Sequence, residues 1–376
     1  MMIYININML SLLSHHNVLY AKDFLTNSPN FLNVKYDKDL NLYIAKHCHK
    51  SNTTEQLVRE CDGTIFDADG NIVCYSGEFS EIYSYYEIQN NDNRDVQDTI
   101  SDLKSQEVLE FLDGTCIRVY FYGGQWRIAT RGHTDASKAK WSSEKSFKTL
   151  FDEVVTKQPG FSYDNLNKGY TYVFLLHHTE NKIVCPITSN EVYLLEVYDN
   201  STLSRIDILV DGILSPKVLN ITNMNDLTVF LELNDETTKG VYIRNSSGHR
   251  MFILNKLYEE RQKLKGNTLD MNKRYLELRS SNRHFDFLQQ FPEYSDIVSE
   301  LEKNINDNIR HIHVLYMAKH VRKENVQITV NDKKYLFPIH GYYLRSHQKI
   351  TPNVVADCMF LIDTNFGITN FNNQIK

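Results

Sequence analysis

Residue types that can do acid, base or metal chemistry are present, but few stand at spacings that complete a site. His47-Cys48-His49 is the one metal-like cluster. Neighbours on a strand point to opposite faces, and no second cluster is spaced to finish a tetrahedron. His177-His178 and the group His311, His313, His320 offer imidazoles. His313 and His320 fall two helical turns apart on one face, yet no carboxylate is spaced to join them, so no metal site is expected. Asp113-Gly114 stands at a strand entrance, where the pair is also good turn chemistry. A third set is basic: Arg310, Lys319, Arg322 and Lys323 in or near one helical segment, then Arg345, His347 and Lys349. These types suit phosphate contacts, and Tyr342 and Tyr343 beside Arg345 are of a type that stacks on bases. The same helix carries an Ile309, Ile312, Leu315, Tyr316 stripe that fits a core-facing side, which would leave the bases as its solvated face.

The elements that would position these residues begin as strands and end as helices. Asn41 to Lys46, Gly63 to Phe66 and Ile72 to Tyr75 read as strands, the last two joined by the turn Asp67-Ala68-Asp69-Gly70-Asn71. The stretch Glu110 to Gly132 reads as a β-hairpin: Ile117, Val119 and Phe121 alternate with polar or small residues, Gly123-Gly124 turns, and Trp126, Ile128 and Thr130 run back. A helix is expected from Glu144 to Val155, with Phe147, Leu150, Phe151 and Val154 on one face. Tyr170 to Leu176, Lys182 to Pro186 and Val192 to Tyr198 are further strands, and Asn225 to Leu233 a helix. Val241 to Arg244 and Arg250 to Leu254 form a second hairpin, and the pattern from Tyr258 onward is helical, notably Tyr294 to Lys323. The class is α+β, as a strand-rich domain over 1–257 and a mainly helical C-terminal domain over 258–376.

Composition supports a globular chain: 376 residues with 41% hydrophobic and 23% charged are near the averages of folded proteins. No apolar run reaches the roughly 18 residues that span a bilayer. The apolar opening to Leu19 is broken by Asn6, Asn8, His15 and His16, without a basic n-region or a cleavage site, so no secretory signal is expected. Six cysteines lacking CxxC spacing read as reduced thiols. These features place the protein inside the cell, in the cytoplasm, with no membrane partner. Charge is uneven: residues 1–240 carry 21 basic against 33 acidic residues, a net −12, and 241–376 carry 20 against 14, a net +6. The C-terminal third is therefore one candidate surface for an anionic partner such as RNA, or a complement to its acidic neighbour.

A series of motifs over about residues 30 to 260 then falls into a known order. Val58-Arg59-Glu60-Cys61-Asp62-Gly63, Phe111-Leu112-Asp113-Gly114, Ala129-Thr130-Arg131-Gly132, Tyr170-Thr171-Tyr172-Val173-Phe174-Leu175-Leu176 with Asn181-Lys182-Ile183-Val184, Lys239-Gly240-Val241-Tyr242, and Arg250-Met251-Phe252-Ile253-Leu254 carry it. Together they resemble the bacteriophage T4-type RNA ligase 1 family. The resemblance implies a nucleotidyltransferase domain of RNA ligase type, with ATP-grasp-like antiparallel sheets.

In that family a lysine of the Lys-x-Asp-Gly motif takes AMP from ATP and passes it to an RNA 5′-phosphate, with carboxylates for Mg²⁺ and lysines for the phosphates. At the corresponding positions this chain retains Asp113, Gly114, Arg131, Gly132 and Gly240. It departs where the chemistry lies: Phe111 stands for the nucleophile, Leu175 and Lys239 for two glutamates, and Phe252 and Leu254 for the two lysines of the last motif. Asp62 stands for an arginine, and Glu81 falls near a lysine. Phenylalanine has no lone pair to adenylylate, and parts that act as a unit are not rescued singly. The expectation is a catalytically inactive, ligase-like protein with its pocket plugged by Phe111, Leu175, Phe252 and Leu254, needing neither ATP nor Mg²⁺. Its role would be that of a scaffold or nucleic-acid-associated subunit of a larger viral assembly, at a viral replication site or in the virion. Two alternatives stand beside it: an active ligase using ATP and Mg²⁺ with a relocated lysine (Lys104, Lys138, Lys140 or Lys239, each also readable as a solvated surface residue), and an RNA-binding module working through the basic C-terminal third.

Overall fold

A computed structural model describes residues 8–89, 94–233, 235–245 and 250–362 of the chain. The class is the expected one, α+β, with antiparallel sheets first and helices last. Contacts divide the chain into two compact units, Met1–Glu259 and Glu260–Lys376. Among the described residues no helix is long and apolar enough to cross a membrane.

Among the described residues the first unit holds twelve strands: β1 (Asn33–Asp37), β2 (Leu42–Lys46), β3 (Thr64–Asp67), β4 (Ile72–Cys74), β5 (Ile82–Tyr83), β6 (Glu107–Leu112), β7 (Thr115–Tyr122), β8 (Gln125–Thr130), β9 (Tyr170–His177), β10 (Glu191–Asp199), β11 (Thr238–Arg244) and β12 (Arg250–Leu254). They form three sheets, ordered β1-β2-β3-β4, β10-β9-β7-β8 and β5-β12-β11-β6. All pairings are antiparallel except the short edge strand β5, which runs parallel to β12.

Strand periodicity decides what each sheet buries. In β7 and β9, Ile117, Val119, Tyr172, Phe174 and Leu176 point to a core shared with the helix Phe147–Val155. That helix starts where expected in kind but three residues late, because the Ser146 side chain caps it by accepting from Thr149 N–H. In β11 and β12, Val241, Ile243, Met251 and Ile253 point to a second core with the helices Tyr85–Gln89, Arg94–Ser101 and Met224–Glu232. Alternate residues on both sheets, among them Cys116, Arg118, Val173, Leu175, Tyr242, Arg250 and Phe252, are left to line a cavity.

Two expected strands resolve differently. The stretch from Glu110 to Gly132 does contain the β7–β8 hairpin, turning at Gly123-Gly124 where both glycines have positive φ. Its entrance, however, belongs to another sheet: β6 pairs with β11, so Asp113-Gly114 is the step from one sheet to the next. The segment from Lys182 to Pro186 is not a strand. Its Val184 and Cys185 N–H groups donate instead to the Asp113 carboxylate, at 2.9 and 3.0 Å. The turn 246–249 of the second hairpin lies outside the described residues.

The second unit contains helices at Met271–Ser280, His284–Gln290, Ser295–Tyr316, Val330–Ser346 and Pro352–Ile362. Val298, Leu301, Ile305, Ile309, Ile312 and Tyr316 bury one stripe of the long helix. The helical stretch expected from Tyr294 to Lys323 is thus shorter, because a π turn at Met317–Val321 and a positive φ at Lys323 take the chain out of it.

Candidate functional site

The cavity bordered by β6, β11 and β12 on one side and β7, β9 and β10 on the other has a volume of about 320 Å³. It gathers Phe111, Leu175, Lys239 and Phe252, four of the five residues expected at altered motif positions. Phe111 and Phe252 meet ring to ring at 4.8 Å between centroids, and Phe252 stacks on Tyr242 at 4.7 Å. Leu175 closes the opposite wall. Leu254 is buried and is not among the lining residues. The hydrocarbon therefore coats the cavity without plugging it, which corrects the expected filling.

Lys239 is the main departure from expectation. Thr238 pairs with Leu112 and Gly240 with Phe111, so Lys239 is the extra residue of a β-bulge. Bulges re-aim a side chain, and this one turns the lysine into the cavity, with Nζ 4.4 Å from the centre of the Phe111 ring. Its side chain is 18% exposed, so it is not a solvated surface lysine. Nζ stands 3.9 Å from Asp113 Oδ1 and lies over the Tyr258 ring. Burial pulls the Lys239 ammonium below its ordinary pKa, while Asp113 and Cys185 pull the other way. The bulge thus places an amine beside the Phe111 ring. The other three candidates are elsewhere: Lys138 pairs with Asp37 and Asp39, Lys140 with Glu144, and Lys104 sits in a short 3₁₀ turn.

The retained motif residues have structural work. Asp113 is fully buried, and beyond the two backbone donors it accepts from Tyr258 Oη–H at 3.0 Å. A Cβ on Gly114 would stand 2.6 Å from the Leu176 carbonyl oxygen, and one on Gly240 would collide with the Ile253 carbonyl. Arg131 donates from Nε to Asp62 Oδ1 at 2.6 Å, and Gly132 leaves room for Lys46 Nζ.

Three charged cavity residues escaped the sequence reading. Arg118, fully buried on β7, donates to the Gly63 and Thr130 carbonyls. Arg250 donates to the Glu78 and Ser76 carbonyls; burial opposes its charge, but Tyr198, Glu196 and Tyr242 around it hold its pKa above the ordinary value. Glu196 accepts from both Tyr198 and Tyr242 hydroxyls and lies 3.4 Å from Arg244 Nη1. A charge in the middle of an apolar strand run, as at Arg118, was the available signal.

The basic C-terminal residues are not gathered on one helix. Arg310 lies in the long helix and pairs with Asp307, Lys319 is in the π turn, and Arg322 and Lys323 follow it, Arg322 bound to Glu324. Arg345 is on the next helix and Lys349 in the loop after it. His313 faces the Ile350 carbonyl and His320 stacks on His340, so the two imidazoles do not converge. His47 faces the Val58 carbonyl and Cys48 the Phe31 carbonyl. Glu153, His178 and Glu180 do come together, but Lys145 Nζ already bridges the two carboxylates at 3.0 and 2.7 Å. His178 Nδ1 accepts from Glu180 N–H, which places its proton on Nε2, the atom a metal would need.

No protein-family model matches the chain. It is 25% identical over 294 residues to an immediate-early protein ICP-46 homolog of Invertebrate iridescent virus 6, covering 68% of this chain and 65% of that protein. The chain thus spans just under two thirds of that relative's length. It is 30% identical over 99 residues to an RNA ligase of Rhodothermus phage RM378, covering 24% and 22% of the two chains. Among solved structures, an archaeal ATP-dependent RNA ligase aligns over 75% of this chain and 78% of its own, with 9% identity and a TM-score of 0.46.

Proposed function

We propose that this chain is an RNA-ligase-like protein of viral type that has lost lysyl-nucleotidyl transfer and serves as a non-catalytic subunit of a larger viral assembly in the infected cell. The observation that carries the reading is the Phe111–Phe252 ring contact on the cavity wall, with Leu175 opposite. Three positions that the family reserves for a nucleophile, a carboxylate and a cation present hydrocarbon to one space. Transfer of an adenylyl group needs cations placed on a triphosphate, since positioning and charge stabilisation supply most of such catalysis. The arginines that line the cavity are already committed, Arg118 and Arg250 to backbone carbonyls and Arg131 to Asp62. The residues present do not fit ATP and Mg²⁺, and no step is derived through them. The iridovirus likeness supports a viral setting, and the phage RNA ligase supports the motif reading.

A second reading has one observation in its favour. The bulge carries Lys239 to the Phe111 ring, with burial favouring its neutral amine, so Lys239 is the residue that would take AMP if any does. Intact-mass spectrometry separates the two. The full chain is stripped of any preloaded AMP with pyrophosphate, then incubated with ATP and Mg²⁺ or Mn²⁺. The first reading expects an unchanged mass and no thermal shift from ATP. An added AMP that maps to Lys239 overturns it in favour of the second.

A further inference from the structure

The helix Val330–Ser346 packs Tyr335, Leu336 and Ile339 into the second unit. On its outer side it carries Val330, Phe337 and Leu344, which are 82%, 64% and 58% exposed. Single exposed apolar residues are ordinary. These three are spaced by seven, so at about 100° per residue they stay within about 20° of one line, which runs about 21 Å along the helix. The Thr329 capping box fixes where the helix begins and so holds Val330, its first residue, in that line.

By the same rotation Lys333 stands on one side of the line and Lys334 and Arg345 on the other, all three exposed. Residues 319–349 carry seven basic against two acidic residues, a net +5. Both carboxylates are engaged within the unit: Glu324 by Arg322, and Asp332 by His311 and the Thr329 cap. The ridge is thus apolar along its crest and cationic on both flanks. A second copy of the chain would set cations against cations. Nucleic-acid phosphates would take the flanks and leave Val330 and Leu344 bare to water. An anionic bilayer meets both features, with hydrocarbon at the acyl boundary for the crest and negative headgroups for the flanks.

We propose that the helix Val330–Ser346 lies on an anionic lipid surface, with Val330, Phe337 and Leu344 at the acyl boundary and Lys333 and Arg345 among the headgroups. The expectation of no membrane partner rests on spanning runs and a secretory leader, and a helix lying in the interface needs neither. The inference goes beyond the proposed function and does not depend on what the cavity of the first unit accepts.

The test is co-sedimentation of the full chain with vesicles of phosphatidylcholine containing about 30% phosphatidylserine, against vesicles of phosphatidylcholine alone. The parent should bind the anionic vesicles, several-fold less of it should pellet with the neutral ones, and added salt should weaken the binding. F337S/L344S should bind at least about tenfold more weakly, and since both side chains are exposed the variant should fold as the parent does. K333Q should lose about fivefold, the effect of one cation near such a surface. Fluorescence of F337W should be quenched by brominated acyl chains. The proposal is overturned if the parent does not bind, if it binds neutral vesicles as well, if binding survives F337S/L344S, or if F337W is not quenched. It is equally overturned if F337S/L344S instead dissociates a parental dimer or weakens the binding of a single-stranded RNA while vesicle binding stays unchanged.

Discussion

Replacing Asp113 by alanine probes the step between the two sheets that frame the cavity. The carboxylate is fully buried and accepts from Val184 N–H, Cys185 N–H and the Tyr258 hydroxyl, while Lys239 Nζ faces it at 3.9 Å. Its loss removes the acceptor of these three donors and the carboxylate that faces the buried Lys239 ammonium. Deleting one member of a buried pair costs about 3–5 kcal/mol, and a hydrogen bond to a charged group contributes about 1.5–3 kcal/mol. The terms do not add, because Lys239 can shed its proton and the loop can relax. We expect D113A to lose at least about 3 kcal/mol of unfolding free energy. K239M removes the facing ammonium but leaves the carboxylate its three hydrogen bonds, so it should cost less than D113A. Both tryptophans, Trp126 and Trp141, lie in the first unit, so urea unfolding followed by tryptophan fluorescence reports that unit alone. The reasoning is refuted if K239M costs as much as D113A, or if D113A costs under about 1 kcal/mol.

Two smaller perturbations follow from the same structure. G114A should cost about 1–3 kcal/mol by the same assay, because its Cβ meets the Leu176 carbonyl at 2.6 Å and the Leu175 side chain at 3.0 Å; parental stability would contradict the close approach. Glu60 is buried, which raises its carboxyl pKa above the ordinary 4.5 despite hydrogen bonds from Met9 N–H and Gln56, with Glu78 adding to the rise. The folded chain therefore holds that proton more tightly than the unfolded chain, and the advantage this gives the parent is full below about pH 4.5 and lost as pH rises through the raised value. Stability of E60Q relative to the parent should improve between pH 4 and pH 7 in paired urea titrations, and a change of the opposite sign would count against the burial of Glu60.

How far the sequence reached depended on whether the information was local. The helix ending at Val155 and the β7–β8 hairpin were legible because a repeating apolar face and a Gly-Gly turn are short-range signals. The sheet change at Asp113-Gly114 was not, since an Asp-Gly pair looks the same whether the chain turns back or crosses over. The segment from Lys182 to Pro186 read as a strand because its apolar residues are consistent with one, while the acceptor for its N–H groups is about seventy residues away in sequence. Phe111, Leu175, Lys239 and Phe252 were visible as residue types. The bulge that aims Lys239 was not, because it exists only in the pairing of β11 with β6. Nor could residue types give the distance between facing walls, which is why filling by hydrocarbon was expected and an open cavity was found.

That distance has its own determinants. Glu196 on β10 takes the hydroxyl of Tyr242 from the facing sheet and lies near Arg244 on the same strand, while Arg244 also holds Glu107 on β6. The gap is therefore propped by bonds among residues other than Phe111, Leu175, Lys239 and Phe252. A frame of this kind lets the upholstery be changed without moving the walls. Substitutions on the lining would change the chemistry of the interior while leaving its shape intact.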